Sequence, residues 1–174
     1  MTSKTHLVAG LIAGEAAAYS IGAQSPSAAA LCVGAALAGS IMPDIDQVGS
    51  SASYRAKWLS LGLSFLTYHR GPLHTPFIAA LASFVALVVS RLGFADSRIL
   101  ARGLFFGLMS HLILDTFNYN GIMWLYPFKK KHYHLSNMKN RSSRENWLMV
   151  FLLALAVLST ELFLRYAPGL AAYF

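Results

Sequence analysis

In Ser110-His-Leu-Ile-Leu-Asp115 an imidazole and a carboxylate stand four residues apart, a spacing that puts both on one face of a helix. Their apolar surroundings predict that His111 and Asp115 point together into an interior. Pro43-Asp-Ile-Asp46 closes another apolar run with two carboxylates at alternate positions, spaced to share one ion or to bridge two. His69-Arg-Gly-Pro-Leu-His74-Thr-Pro gathers two imidazoles and a guanidinium just before a third run, with Pro72 suited to a first helical turn. His6 opens the chain's first apolar run. Imidazole nitrogens and carboxylate oxygens both ligate divalent cations, whose charge offsets the cost of burying them. Each motif also has a plainer reading. His111 and Asp115 could lock two helices, Asp44 and Asp46 could be solvated residues of a helix-ending turn, and His69 to His74 could touch lipid head groups.

The elements that must position these residues are set by composition. The 174 residues are 56% hydrophobic and 12% charged, with a mean hydropathy of +0.50. Soluble domains carry about 25% charged residues, so this is the composition of a membrane protein. Spanning helices need about 20 apolar residues, and five spans are expected, at roughly 5–22, 27–43, 74–93, 99–118 and 147–165. The apolar stretch 56–68, between Arg55 and Arg70, is too short to span easily and is expected to lie in the interface. The reading is therefore an all-α, polytopic bundle forming a single integral-membrane domain over 1–174. A cleaved leader is not expected, because the first run carries His6 and Glu15.

Five spans place successive loops on opposite sides. Ten of the 14 Lys and Arg then fall on one side, which by the positive-inside rule is cytoplasmic and holds the N-terminus. The net charge of +7, which in a soluble protein would suggest nucleic acid, is thereby explained by anionic lipid; no nucleic-acid binding is expected. The same alternation puts His6, Asp44, Asp46, His69, His74, His111 and Asp115 on one face of the membrane. Ionisable groups at membrane depth are costly and gather around something, and a divalent ion is the simplest partner. Cys32 is the one cysteine, so the metal must use His and carboxylates.

Spacings of four also relate Gly103 and Gly107 to His111, and Gly10 and Gly14 to His6. Small residues let backbones approach, so the first and fourth helices are expected to pack together with His6 near His111. Glu15 lies about 13 Å along the helix from His6, deep enough for a supporting or proton-relay role only. His132 and His134 read as solvated, and Glu145 and Glu161 as helix-end charges.

The ordered set His6, Pro43-Asp-Ile-Asp46, His69-Arg-Gly-Pro-Leu-His74-Thr and Ser110-His-Leu-Ile-Leu-Asp115, followed by Gly121 and Pro127-Phe128, resembles the YdjM-like family of bacterial inner-membrane proteins. These are described as membrane-bound metal-dependent hydrolases, sometimes as LexA-binding. The resemblance covers the chain up to Phe128, with the seven His and Asp residues at the family's polar positions; Pro72-Leu73 and Asn118 depart from its pattern. The His-x-x-x-Asp helix is also faintly similar to that of zinc-dependent phospholipase C and the S1/P1 nucleases, a hint toward phosphoester chemistry.

The expected function is that of a metal-dependent hydrolase of the bacterial inner membrane, acting at the cytoplasmic face on a phosphoester-containing lipid or amphipathic substrate. One or two ions, Zn2+ first and Mn2+ or Mg2+ after it, would sit on the seven His and Asp residues. Asp44 and Asp46 would bridge ions or serve as base, and Arg70 would hold the anionic group. Expected partners are membrane lipid, anionic head groups against the basic 129–144 loop, and a cytosolic protein. The alternatives are an ion or proton-coupled transporter, which needs access from both faces, and a regulatory membrane protein with a structural metal.

Overall fold

The structure, a computed structural model, describes residues 1–23, 25–46, 74–91 and 97–166, with the side chains of Ile45, Asp46, Ser90 and Ser97 outside that description. The described residues form five α-helices and no strand: α1 (Ser3–Ser20), α2 (Pro26–Ile41), α3 (Pro76–Ser90), α4 (Ser97–Thr116) and α5 (Ser143–Tyr166). A short 3-10 turn, Met42–Asp46, continues α2. Among the described residues three stretches are long and apolar enough to cross a membrane: Pro26–Asp44, Arg98–Thr116 and Ser143–Tyr166; Pro76–Val89 is a shorter apolar helix. The 56–68 stretch lies outside the described residues.

Local signals explain where the helices begin. Ser25 caps α2, its side chain accepting from Ala28 N at 3.2 Å, and Pro26 follows it in the first turn. Thr75 caps α3 in the same way, accepting from Ile78 N at 3.3 Å, with Pro76 in the first turn. Pro72, which the sequence suggests for that place, is outside the described residues.

The Ala- and Gly-rich helices form the centre of the bundle. α2 packs most extensively on α4 and then on α1, α4 also contacts α1 and α3, and α5 leans on α1. A Cβ at Gly14 would come within 2.9 Å of Ala36 and Val33, and one at Gly10 within 2.6 Å of Ser40 Cβ. Cβ atoms at Gly103 and Gly107 would run into the carbonyls of Cys32 and Ala36. Both glycine stripes thus face α2, not each other as the sequence suggests. The reason is that α2 has small residues on both of its contact faces, so it fits between α1 and α4 with backbones nearly touching.

α5 carries Trp147, Phe151 and Val157, all well exposed, as expected of a helix that faces lipid. The segment from Phe117 to Ser142 is held by two isolated bridges, Asn118 with Met138 and Ile122 with Tyr133. Asn118, given no role from sequence, is buried and donates from Nδ2 to Asn140 Oδ1 at 2.8 Å. Gly121 lies against the Tyr133 carbonyl with φ +58°, a conformation and a closeness that a side chain would not allow.

Candidate metal centre

Four segments deliver polar groups to one end of the bundle. His6 lies in the first turn of α1, Asp44 in the 3-10 turn after α2, His74 just ahead of the α3 cap, and His111 and Asp115 in the last two turns of α4. All five are buried, none more than 6% exposed. Two groups of three place one ligand atom from each residue within 4.8 Å of the others: His6, Asp44 and His111, and His74, His111 and Asp115.

His111 belongs to both groups, and its surroundings fix its orientation. Nδ1 lies 2.7 Å from the carbonyl oxygen of Ser40. Ser40 is in the last turn of α2, where carbonyls run out of intrahelical donors, so the imidazole N–H caps the helix. A proton on Nδ1 leaves the Nε2 lone pair free. Nε2 stands 3.9 Å from Asp44 Oδ1 and 3.8 Å from Asp115 Oδ2 and has no hydrogen-bond partner.

The remaining separations are similar. His6 Nε2 is 3.5 Å from Asp115 Oδ1, and His74 Nε2 is 3.9 Å from Asp44 Oδ1. The His6 and His111 rings stack, and His74 tilts against His111 at 5.3 Å between centroids. Neither ring nitrogen of His6 has a hydrogen-bond partner. The Met1 amino nitrogen lies 3.0 Å from Asp115 Oδ1. Metal–ligand bonds of about 2.1 Å at tetrahedral angles put ligand atoms about 3.4 Å apart. The carboxylate–imidazole separations of 3.5–3.9 Å exceed that by up to about half an ångström, and all ligand atoms within each group lie within 4.8 Å of one another, so the residues fit a divalent ion on contraction of the cluster.

His6, Asp44, His74, His111 and Asp115 are therefore brought together as the sequence suggests. His69, Arg70 and the side chain of Asp46 lie outside the described residues. His132 and His134 are exposed. Glu15 is buried toward the other end, where its carboxylate accepts from Ser159 and from Thr160 at 2.6 Å, tying α1 to α5.

Glu145, read from sequence as a helix-end charge, does more. It is 1% exposed and accepts from Thr2 N at 2.5 Å, Thr5 Oγ1 at 3.1 Å and Arg141 N at 2.6 Å. Its own N–H bonds Ser142 Oγ at 3.3 Å. One carboxylate thus anchors the start of α5 to the residues flanking His6. The signal was present as Ser142-x-x-Glu145, the capping-box spacing.

The family model described as YdjM inner membrane protein matches residues 1–170. The Bacillus subtilis (strain 168) protein "Uncharacterized protein YvsG" is 31% identical over 127 residues, covering 73% of this chain and 74% of that protein. No solved structure matches.

Proposed function

The chain belongs to the YdjM inner membrane protein family, and on that premise we propose that it is a metal-dependent hydrolase embedded in the bacterial inner membrane. It acts at the cytoplasmic face on a phosphoester of a lipid or other amphipathic substrate. The observation that carries the reading is His111, with one nitrogen fixed on a helix-end carbonyl and the other, unpartnered, between two buried carboxylates. Ligating histidines characteristically donate their second nitrogen to a carbonyl or carboxylate in this way.

His6, Asp44, His74, His111 and Asp115 would hold the ion. Three imidazoles and two carboxylates favour Zn2+, with Mn2+ or Mg2+ less suited to so much nitrogen. Because both three-residue groups share the single Nε2 lone pair of His111, the described residues suit one ion; a second would draw on Asp46 and His69. When bound, such an ion supplies Lewis-acid polarisation of the scissile bond and of the attacking water. The chain's own part is to orient the ligands through Ser40 and Glu145, to keep bulk water from them by burial, and to offer Asp44 or Asp46 as base. Arg70 would hold the anionic group of the substrate.

Two features support an amphipathic substrate. A cleft of about 480 Å³, walled by Ile113, Phe117, Trp124, Leu125 and Leu135, opens beside the last turns of α4. Phe128, 92% exposed, precedes Lys129, Lys130 and Lys131, a pairing suited to insertion among anionic head groups. The ten-charge side supports a cytoplasmic orientation for this end.

The test is to purify the protein in mild detergent, measure bound metal, and follow turnover of a fluorescent phospholipid before and after chelation. About one ion per chain, with turnover lost on chelation and restored by Zn2+, is the expected result. Retained metal without turnover of any ester would leave a structural ion and remove the hydrolase.

A further inference from the structure

A large cavity lies at the other end of the bundle, about 20 Å from His111 along α4, thirteen residues at 1.5 Å each counted back to Arg98. Its volume is about 1030 Å³, and it is bounded by the end of α1, the start of α2, the second half of α3 and the first turns of α4. We propose that this cavity binds an anionic membrane phospholipid, its phosphate held by Arg98 and Arg102 and an acyl chain lying against Phe84, Phe105 and Phe106. The site is separate from the His–Asp cluster and does not depend on the hydrolase reading.

Charge is the first argument. Arg98 and Arg102 stand four residues apart, on one face of α4, and both line the cavity, which has no carboxylate among its described lining residues. Both stand at the start of α4, where the helix dipole is positive, so an anion placed between the two guanidinium groups is favoured by the dipole and by both side chains. The two hydroxyls in the lining do not compete for the role, since Ser20 Oγ donates to Ala17 O at 2.7 Å and Ser83 Oγ to Ala79 O at 2.8 Å.

Size and wall chemistry select a lipid over a free anion. The volume reaches the upper end of ordinary ligand pockets, about 300–1,000 Å³, and far exceeds what a phosphate ion fills. Phe84 is 62% exposed, and Val85, Val88 and Val89 continue its exposed apolar face along α3. In a bilayer that face meets acyl chains, so the cavity mouth is already next to its ligand. Guanidinium forks match phosphate oxygens with two hydrogen bonds each.

The experiment is native mass spectrometry of the full chain, delipidated in detergent and titrated with phosphatidylglycerol, phosphatidylethanolamine or glycerol 3-phosphate. Phosphatidylglycerol is expected to bind at least tenfold tighter than phosphatidylethanolamine, with glycerol 3-phosphate not retained. The Arg98→Gln/Arg102→Gln variant should lose that tenfold preference. Arg165→Gln, which removes an exposed charge outside the cavity lining, should keep it. Equal binding of the two lipids, or equal loss in the Arg165 variant, overturns the proposal; tight glycerol 3-phosphate binding would make this a soluble-anion site instead. A second measurement needs no variant. Photoactivatable phosphatidylglycerol on the unaltered protein should label peptides from α3 and the start of α4, and labelling confined to other helices overturns the proposal.

Discussion

The imidazoles of His6 and His111 stack with their centroids 3.9 Å apart and their planes 16° from parallel. They come from opposite ends of the sequence of helices that builds the centre, and each presents Nε2 to a different oxygen of Asp115, at 3.5 and 3.8 Å. A carboxylate between two such nitrogens, with a third imidazole beside them, is a geometry for sharing one cation.

His111 is the residue that both three-residue groups share, so on the proposed reading His111→Ala should remove bound metal almost completely, a loss in affinity of at least about 100-fold, since changing a mere supporting partner costs about 10–100-fold. His6→Ala leaves the His74, His111 and Asp115 group intact and should cost less. Metal content of the purified variants, with helicity measured alongside, checks the order. Equal metal retention in both would remove the site.

Gly107 meets the Ala36 backbone, which cannot swing aside as a side chain tip can. Gly107→Ala should destabilise the bundle by about 1–3 kcal/mol, the usual cost of overpacking. Gly34 has nothing within 4 Å, so Gly34→Ala in the same bundle should be neutral or stabilising by up to about 1 kcal/mol. Thermal unfolding in detergent distinguishes them, and similar effects of the two changes would argue against the close contact of α2 with α4.

Removing the Glu145 carboxylate strands the N–H groups of Thr2 and Arg141 and leaves the hydroxyl of Thr5 only its contact with Thr2 Oγ1 at 2.9 Å. Glu145→Ala should cost about 1–3 kcal/mol for each donor that stays buried and unpaired. Because Thr5 adjoins His6, metal affinity should also fall, by about tenfold. Glu145→Gln, which keeps an acceptor oxygen, should recover part of both. A variant that unfolds more easily yet binds metal as tightly as the parent would separate the anchor from the site.

Cys32 is buried, which makes a fluorophore on Phe128→Cys selective. Its emission should shift to the blue in nanodiscs containing anionic lipid. Replacing Lys129, Lys130 and Lys131 by Gln should reduce the shift, as should raised salt, since each basic residue near such a surface contributes about 1 kcal/mol. No shift in any lipid would take the 129–144 loop off the membrane.

The convergence of His6, Asp44, His74, His111 and Asp115 was legible because it follows from two regular things, the four-residue helix spacing and the alternation of helix direction. The role of Ser40 was not, since a backbone carbonyl has no signature in the residue type that bears it. The place of α2 between α1 and α4 was hidden for a related reason: glycines announce a close approach without saying to what. Glu145 was legible as a helix-end charge, but its duty at Thr2 and Thr5 depends on how α5 lies against α1. The boundaries of α3 were blurred by Pro72, Pro76 and Thr75, any of which could open a helix.

The glycine contacts of α2 bear on the thermodynamics of ion capture. Where helices meet backbone to backbone, close packing leaves little play between α2 and the helices that carry His6 and His111, so less remains to be ordered when a ligand arrives. The ordering entropy falls on folding instead of on association. The centre should therefore bind an ion with little heat-capacity change, and it should discriminate among cations by radius, since a cage with little freedom to relax favours one size.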